Sequence, residues 1–419
     1  KLESLFFEVL NTPIPERTVL DVLTPFLNGG LFEPKKEDLY KQGGLTFPRN
    51  YFDDLYQFLR GYNFTTDEST SDFQQVAIDP EMLGRIFENL LAEVSEETGD
   101  QARKAKGAFY TPREIVDFMC KESLKGYLRS KISSDPNLES RIYQLVDATE
   151  RQFQDQDHNW RRDLKPYKDQ IIDALDNLKA FDPACGSGAF PIGMMQLLVR
   201  VYARLEPRFD HHKAKLAIIQ RNIYGADIEP MAVEIARLRA WLALVVDEES
   251  SAKAVRPLPN LDFKFVSANS LIPLPAQGQL AFFEDQSLDT KLQEIRESYF
   301  NTESLEQKSK LKEKYSELVE REVSLSGESS RTSQLKTFRP FVADSVAEFF
   351  DATQMFGFEK FDIVIGNPPY VRQEKIRYKK HLQGYKIYQS TADLYTYFYE
   401  LALNNIKEGG VVSFITSSK

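Results

Sequence analysis

Short runs rich in β-branched and aromatic residues alternate with helical patterns in the second half of the chain. The runs cover residues 179–182, 222–226, 263–266, 361–365 and 411–416. Between them, apolar residues recur at the three- and four-residue spacing of a helix. One such set is Met231, Ile235, Leu238, Leu242 and Val245. Because strands that alternate with helices form a mostly parallel sheet covered on both faces, the sequence predicts an α/β, Rossmann-like core with ligands at the carboxyl ends of the strands.

The first hundred or so residues have a helical pattern instead. Asp79 is a candidate N-cap with Pro80 at the first helical position, and apolar residues follow at helical spacing through residues 82–91. We therefore expect an N-terminal helical domain over residues 1–105 and a second domain over residues 106–419.

Two polar stretches interrupt the alternation of strands and helices. Residues 131–178 are helical in character, and residues from about 276 to 345 are rich in Lys, Glu, Ser and Gln. The second stretch is predicted to be a charged helical insertion or a flexible one, and a solvated surface element is its simplest interpretation.

Composition narrows the class of protein. Of the 419 residues, 42% are hydrophobic and 28% charged, and no apolar run is long enough to span a bilayer. Cys120 and Cys185 are the only cysteines, so we expect a reducing, cytoplasmic environment without a disulfide framework. No metal-ligand spacing is present, and no metal is expected. The net charge of −10 argues mildly against nucleic acid, although it is compatible with a local basic groove.

A glycine-rich motif, Asp-Pro-Ala-Cys-Gly-Ser-Gly at residues 182–188, directly follows a predicted strand and leads into an apolar helix. Gly186 and Gly188 allow a tight turn and the close approach of a ligand to the backbone. The motif is neither a P-loop nor a dinucleotide fingerprint, because it lacks Gly-Lys-Ser/Thr and a third glycine. A glycine-rich turn alone is weak evidence for ligand binding, so the interpretation depends on the whole heptapeptide.

Polar residues also follow the next two predicted strands. Asp227 ends one of them, where a carboxylate can accept hydrogen bonds from ribose hydroxyls, and Ile228 can cover one face of an adenine. The alternative is that Asp227 or Glu229 only caps the following helix. Asn269 follows the third strand, where it is a cofactor contact or a simple strand-end turn.

Two further motifs stand before and after this region. Asn-Pro-Pro-Tyr at residues 367–370 ends a strand, and its simplest structural interpretation is a tight Asn-Pro turn. Thr111 is a natural N-cap with Pro112 as the first helical residue and Glu114 completing a capping box. Capping does not explain the Phe-Tyr pair at residues 109–110.

Together and in this order, the motifs resemble the gamma class of adenine-N6 DNA methyltransferases, above all the single-chain, fused restriction–modification enzymes with a helical domain before the methyltransferase. Residues 28–32 and 80–91 look like that helical region, and Thr-Ala-Asp-Leu-Tyr at residues 391–395 matches a pattern in the helix after the catalytic loop. The resemblance implies a core that uses S-adenosylmethionine, a double-stranded DNA substrate, and a nuclease, translocase or specificity module in the same or another chain.

The resemblance also implies roles for individual residues. The expected cofactor-binding residues are Phe109, Tyr110, Thr111, Asp182, Pro183, Ala184, Gly186, Gly188, Asp227, Ile228 and Asn269. The expected catalytic residues are Asn367, Pro368, Pro369 and Tyr370. The Asn367 side-chain oxygen and the Pro368 carbonyl would accept both amino hydrogens of adenine N6 and stabilise the charge that grows there, while Tyr370 would stack on a flipped base.

A basic stretch follows the Asn-Pro-Pro-Tyr motif and suits DNA backbone contacts. The expected DNA-binding residues are Arg372, Lys375, Arg377, Lys379 and Lys380. Three tyrosines, at positions 378, 385 and 388, are interleaved with the cations and are expected to serve in stacking. The alternative is an ordinary solvated face.

The sequence departs from the family at three points. Many relatives have an acidic residue at the position of Asn269, which puts its adenine contact in doubt. The chain stops just after the fifth predicted strand, so we expect a methyltransferase domain that is incomplete at its C-terminus. The only Glu-x-Lys trio that could belong to a nuclease, Glu306-Gln-Lys308, lies in the charged insertion and is interpreted as chance.

Two other functions are compatible with the motifs. Glutamine methyltransferases of release factors and some RNA guanine-N2 enzymes also use Asn-Pro-Pro-Tyr, but they are usually smaller and lack the Phe-Tyr-Thr-Pro segment. A non-catalytic DNA-binding or assembly subunit of a defence complex is the second alternative. The intact glycines at 186 and 188 and the intact Asn-Pro-Pro-Tyr motif argue against it.

Overall fold

The architecture is that of a computed structural model. It describes residues 4–10, 12, 48, 50–60, 63–64, 77–78, 111–132, 136–149, 162–206, 209–245, 258–275, 286–325, 329–342, 344–372, 375–376 and 379–417. The described strands are β1 Asn63–Phe64, β2 Ala77–Ile78, β3 Ala180–Asp182, β4 Ile223–Asp227, β5 Phe265–Ser267, β6 Phe361–Gly366 and β7 Ile406–Phe414.

Helices connect most of these strands. The described α-helices are α1 Tyr51–Arg60, α2 Arg113–Lys131, α3 Pro136–Asp147, α4 Lys168–Asn177, α5 Ala189–Leu205, α6 His211–Arg221, α7 Pro230–Val245, α8 Gln286–Asn301, α9 Leu305–Leu325, α10 Ser330–Leu335, α11 Ala352–Phe356, α12 Lys379–Leu382 and α13 Leu394–Asn405. A π-helical segment, Ser4–Leu10, and a 3-10 turn, Lys165–Tyr167, complete the set. None of the helices in these ranges combines the length and the apolar character needed to cross a membrane.

Five parallel strands form the central sheet, in the order β5-β4-β3-β6-β7. From β3 the chain moves outward through β4 to β5, then returns to place β6 on the other side of β3. The strand order therefore reverses between β3 and β6. In sheets of this kind, a crevice opens outside the carboxyl ends of the strands at the point of reversal. The predicted α/β fold with a parallel sheet is confirmed.

Side chains alternate between the two faces of the sheet, as the two-residue period of a strand requires. Ala180, Ile223 and Ile363 lie in a core with the helices α2 to α7. Phe181 and Tyr224, the next residues along their strands, lie in a second core with the helices that follow β5. The sheet is thus the middle layer of three.

The region predicted as a charged insertion contains α8, α9 and α10. One side of these helices is buried in an aromatic cluster, where ring centroids are 5.1 Å apart for Phe263–Tyr315 and 5.0 Å apart for Tyr299–Phe341. Of the trio interpreted as chance, Glu306 is exposed and Lys308 is buried on α9. The chain then returns along the edge of β5, where the N–H of residue 347 donates to the carbonyl of residue 267 at 2.9 Å.

Two details of the sequence prediction were wrong. The fifth strand begins at Ile406 rather than at residue 411, because polar and glycine residues fit an edge strand. Helix α7 is present, but Met231 of its predicted apolar face is exposed. Its small residue Ala236 instead faces the loop after β3, which only a short side chain permits.

Much of the first 105 residues, including the predicted helix at 82–91 and the segment 28–32, lies outside the described residues. The described part holds α1 and the pair of two-residue parallel strands β1 and β2, so it is not helical throughout.

Candidate active site

The loop between β3 and α5 turns sharply at two glycines. Gly186 and Gly188 have φ angles of 51° and 87°, a left-handed conformation that other residues adopt at a cost. The N–H of Gly188 donates to the carbonyl of Cys185 at 2.8 Å and closes the turn. A Cβ on Gly188 would lie 3.0 Å from the Cβ of Ala236, so the glycine also lets α7 pack against the loop.

Asp182 begins this loop and is 1% exposed. Its Oδ1 accepts a hydrogen bond from the N–H of Ala184 at 3.0 Å. Burial raises the pKa of the Asp182 carboxyl well above its usual range; the bond from Ala184 opposes the rise and the nearby Asp227 adds to it. Pro183 is buried beside it, and Ala184 is partly exposed.

Asp227, at the end of β4, holds the same loop from the neighbouring strand. Its Oδ2 accepts from the N–H of Gly186 at 2.8 Å, and its Oδ1 accepts from the N–H of Glu229 at 2.9 Å. The second bond makes the local turn before α7, so part of the capping alternative holds as well. Ile228, the next residue, is 52% exposed and presents an apolar surface beside the carboxylate.

The turn after β5 packs against the glycine-rich loop. The Ser270 hydroxyl donates to the carbonyl of Pro183 at 2.6 Å. The neighbouring Asn269 is buried, and its Oδ1 accepts from the N–H of Leu271 at 3.2 Å. Asn269 therefore makes the simple strand-end turn, and its expected contact with a cofactor stays a prediction.

The Asn-Pro-Pro-Tyr motif stands at the end of β6, directly beside β3. Asn367 is partly buried, and its Nδ2 donates to the Oγ1 of Thr111 at 3.2 Å. Pro368 is buried, whereas Pro369 and Tyr370 are partly exposed. The Tyr370 ring lies 5.7 Å from the ring of Tyr395, with the planes inclined by 55°.

The expectation that Thr111 caps a helix was wrong. Helix α2 begins at Arg113, its N-cap is Pro112, and no side chain makes a cap bond. The Thr111 hydroxyl is engaged with Asn367 instead, a partner 256 residues away in the sequence. Phe109 and Tyr110, which precede it, lie outside the described residues.

The basic stretch lies between Tyr370 and α12. Arg372, Lys375 and Lys380 are exposed and Lys379 is partly buried, while Arg377 lies outside the described residues.

Two of the interleaved tyrosines, at positions 385 and 388, are partly buried with their rings beside that of Tyr397, and the stacking role expected for them stays a prediction. The hydroxyl of Tyr385 donates to the carbonyl of Leu271 at 2.7 Å, and Tyr388 lies with its ring centroid 6.4 Å from that of Tyr397. The remaining tyrosine, at position 378, lies outside the described residues.

Two residues that shape the site were not among the predicted ones. Arg239 is buried in α7, and its guanidinium donates to the carbonyl of Ser187 in the glycine-rich loop at 3.0 Å. An arginine inside an apolar helix was the signal that could have identified it. Gly366 lies so close to Asp182 that a Cβ there would be 2.6 Å from its Oδ1. That proximity depends on strand order, which no local pattern contains.

The four predicted motifs therefore meet at one edge of the sheet. Asp227 joins the glycine-rich loop from β4, Ser270 joins it from β5, and Gly366 contacts it from β6. Thr111 reaches the end of β6 from the start of α2. The motifs lie at the carboxyl ends of the strands, where the strand order reverses between β3 and β6.

Comparisons with known proteins show which proteins this chain resembles. Residues 221–419 match the model of the Eco57I restriction-modification methylase. A protein of Methanocaldococcus jannaschii, named for a type II restriction enzyme and methyltransferase, is 32% identical over 293 residues, which make up 65% of this chain and 23% of that protein. The adenine-specific methyltransferase PglX of Streptomyces coelicolor is 33% identical over 127 residues, 29% of this chain and 10% of its own length.

Shorter and more distant similarities are also present. The type II methyltransferase M.BstVI of Geobacillus stearothermophilus is 43% identical over 63 residues, 14% of this chain and 11% of its own length. The structure of the Type IIL restriction-modification enzyme MmeI in complex with DNA aligns at 16% identity and a TM-score of 0.46, over 96% of this chain and 40% of that chain. The chain thus spans less than a quarter of the Methanocaldococcus protein's length. The expected resemblance to restriction–modification methylases is confirmed: residues 221–419 match the Eco57I restriction-modification methylase model, and the Methanocaldococcus protein is similar over most of this chain.

Proposed function

We propose that this chain transfers a methyl group from S-adenosylmethionine to the N6 amine of a flipped adenine in double-stranded DNA, as part of a restriction–modification or phage-defence system. One observation carries the proposal: Asn367 stands at the carboxyl end of β6, next to the loop that Asp182 and Asp227 build at the ends of β3 and β4. The name of PglX, an adenine-specific methyltransferase, supports adenine as the acceptor.

The residues at the strand ends fit S-adenosylmethionine. Each carboxylate oxygen of Asp227 accepts from one backbone N–H, and because a carboxylate oxygen can accept more than one hydrogen bond, this residue suits a ribose hydroxyl. The exposed side chain of Ile228 offers an apolar surface for one face of the cofactor's adenine. The left-handed turn at Gly186 and Gly188 brings backbone close to the methionine end. When bound, the cofactor supplies an electrophilic methyl group on its sulfonium sulfur.

In this proposal, the Asn-Pro-Pro-Tyr loop activates the adenine amine that accepts the methyl group. The N6 amine is a poor nucleophile because its lone pair is delocalised into the adenine ring. Two acceptors, Asn367 Oδ1 and the Pro368 carbonyl, would take its hydrogens, favour a tetrahedral nitrogen and stabilise the growing positive charge. Tyr370, partly exposed beside Tyr395, offers its ring to the flipped base. Alignment of nitrogen and methyl group supplies much of the remaining rate enhancement.

DNA contacts are proposed for the basic stretch after this loop. Arg372, Lys375 and Lys380 are exposed within ten or so residues of Tyr370, where they would neutralise phosphates beside the extruded base. Arg377 and Lys379 belong to the same proposal. We further propose that residues 1–105 form a separate N-terminal domain, that α8 to α10 form an insertion in the methyltransferase domain, and that a nuclease or specificity module acts with it.

Calorimetric titration with S-adenosylmethionine tests the cofactor first. We expect saturable binding that Asp227→Ala weakens, because both the ribose contact and the bond to Gly186 are lost. The matched control is Asp173→Ala, which removes an exposed carboxylate from α4 and leaves the affinity unchanged. Equal affinity of wild type and Asp227→Ala would remove the ribose role.

Transfer is then measured with tritiated S-adenosylmethionine and unmethylated genomic DNA, which contains any short target sequence many times. We expect Asn367→Ala to abolish transfer and to bind the cofactor normally, whereas Asn177→Ala on α4 serves as the control. Normal methylation by Asn367→Ala would contradict the assignment of the catalytic loop. Methyl groups recovered at protein glutamine or at guanine, rather than at adenine N6, would contradict the proposed acceptor.

A further inference from the structure

Thr111 lies in the site in a way that helix capping does not explain. Its side chain is 6% exposed, and its Oγ1 accepts the hydrogen bond from Asn367 Nδ2 at 3.2 Å. The residue that the chemistry of transfer needs most is therefore held by a hydroxyl from a distant part of the chain.

The fold fixes the position of this hydroxyl. Thr111 precedes Pro112, whose ring locks φ, and helix α2 starts immediately afterwards. The first turns of α2 pack on α5 so closely that a Cβ at Gly193 would lie 2.5 Å from the Cγ1 of Val116. Because α5 also begins at the end of the glycine-rich loop, the position of Thr111 is fixed relative to that loop as well as to β6.

The hydrogen bond determines where the two ends of the Asn367 amide point. The amide is planar, with one acceptor oxygen and one NH2 group on the same carbon. When the NH2 group donates to Thr111, the oxygen points away from Thr111 and is available to an amine hydrogen. A hydroxyl can also donate, so the bond by itself restricts rotation of the amide plane without fixing which end faces Thr111. The hydrogens of the adenine amine then favour the orientation in which the Asn367 oxygen faces them.

We propose that Thr111 is a positioning residue for the methyl transfer: its hydroxyl orients the Asn367 amide so that Oδ1 faces the acceptor nitrogen. The inference rests on the proposed function of the Asn-Pro-Pro-Tyr loop. It goes beyond the cofactor contact expected for Thr111, because it predicts a loss of transfer rate that persists when the cofactor is saturating.

The test compares Thr111→Val, which keeps the branched shape and removes the hydroxyl, with Thr111→Ser, which keeps the hydroxyl. Single-turnover transfer is measured with saturating tritiated S-adenosylmethionine and unmethylated genomic DNA. We expect Thr111→Val to transfer about tenfold more slowly, which corresponds to about 1.4 kcal/mol in the barrier. We expect the slower rate to persist when the cofactor concentration is raised further, and Thr111→Ser to restore the rate.

A spectroscopic measurement makes the result independent of turnover. The side-chain NH2 signals of asparagine are observed in protein labelled with 15N-asparagine, and Asn367→Ala identifies the pair that belongs to Asn367. We expect this pair to shift and to exchange faster with water in Thr111→Val, and to resemble wild type in Thr111→Ser. A thermal melt of each variant verifies that it is folded.

Four outcomes would overturn the inference. An unchanged Asn367 signal in Thr111→Val would show that the hydrogen bond is absent. A full transfer rate in that variant would show that the bond has no role in the reaction, and a rate that recovers when the cofactor concentration is raised would assign Thr111 to cofactor binding. Wild-type protein that transfers no methyl group would overturn the proposed function itself, and the inference with it.

Discussion

Gly366 links the glycine-rich loop to the Asn-Pro-Pro-Tyr loop, and its replacement by alanine perturbs both at once. A Cβ at this position would lie 2.6 Å from Asp182 Oδ1 and 3.2 Å from its Cγ. The first distance is shorter than any ordinary contact between carbon and oxygen, so one of the two groups has to move.

Neither group has room to move. Asp182 is 1% exposed, and its Oδ1 is held by the N–H of Ala184 at the start of the loop. The backbone of Gly366 is held between β3 and β7, and its carbonyl accepts from the N–H of Ile415 at 3.1 Å. The substitution therefore moves the loop, the end of β6, or both.

The expected magnitude follows from these contacts. Overpacking of a well-packed interior costs about 1–3 kcal/mol, and we expect Gly366→Ala to lower the free energy of unfolding by that amount. Loss of the bond between Asp182 and Ala184 adds about 1 kcal/mol to the cost of holding the loop in shape. Because about 1.4 kcal/mol is tenfold in affinity, this cost of about 1 kcal/mol should raise the Kd for S-adenosylmethionine roughly fivefold.

Urea denaturation and calorimetry measure these two quantities. The control is Gly384→Ala, where the nearest neighbour of the added Cβ is a backbone oxygen at 3.7 Å, an ordinary contact. In the double variant Gly366→Ala/Asp182→Ala, the carboxylate that the added Cβ would meet is absent. The double variant should therefore lose less stability than the sum of the losses in the two single variants. Wild-type stability and affinity in Gly366→Ala, or strict additivity in the double variant, would refute the reasoning.

Three further substitutions follow from the same structure. Burial, above all, raises the pKa of Asp182, so its contribution to stability is present below the ordinary Asp pKa of about 4 and is lost as pH rises from there through the raised pKa. The melting temperature of Asp182→Asn relative to wild type should therefore increase as pH rises from about 4 towards neutral, and a difference that stays constant over that range would contradict the raised pKa. Gly193→Ala should lower the free energy of unfolding by about 1–3 kcal/mol because its Cβ meets Val116, and Val116→Ala should relieve that loss. The Glu400 carboxylate accepts hydrogen bonds from the N–H groups of residues 386 and 387 at 3.0 Å, so Glu400→Ala should speed hydrogen exchange at those two residues without changing cofactor affinity. Unaltered exchange would show that this carboxylate does not hold the loop.

The sequence was sufficient to predict the layers of the fold and the ends of its strands. β-Branched and aromatic runs marked β3 to β6 nearly to the residue, because strands buried on both faces need apolar side chains throughout. Asp182, Asp227 and Asn367 were singled out because they stand at the carboxyl ends of such runs, where ligands bind in parallel sheets, and because the motifs around them resemble a known family. The edge strand β7 was harder to delimit, since exposure allows it polar and glycine residues.

Contacts between distant parts of the chain could not be predicted in this way. The local sequence predicted Thr111 to be an N-cap. Its hydroxyl instead bonds to Asn367, a contact that depends on how α2 is packed against α5. Tyr385 belongs to a run of cations and aromatics, yet its hydroxyl is used by the turn after β5. Local sequence propensity predicts the role of a side chain poorly wherever tertiary packing gives that side chain another partner.

Strand order explains why the motifs cooperate although they are far apart in the sequence. Since β6 returns to lie beside β3, the residue before Asn367 touches the carboxylate that starts the glycine-rich loop. The long connection from β5 to β6 can hold α8 to α10 without disturbing this contact, because those helices pack on one face and the chain returns along the edge of β5. Additions to that connection are therefore compatible with the site, whereas a single methyl group at Gly366 is not.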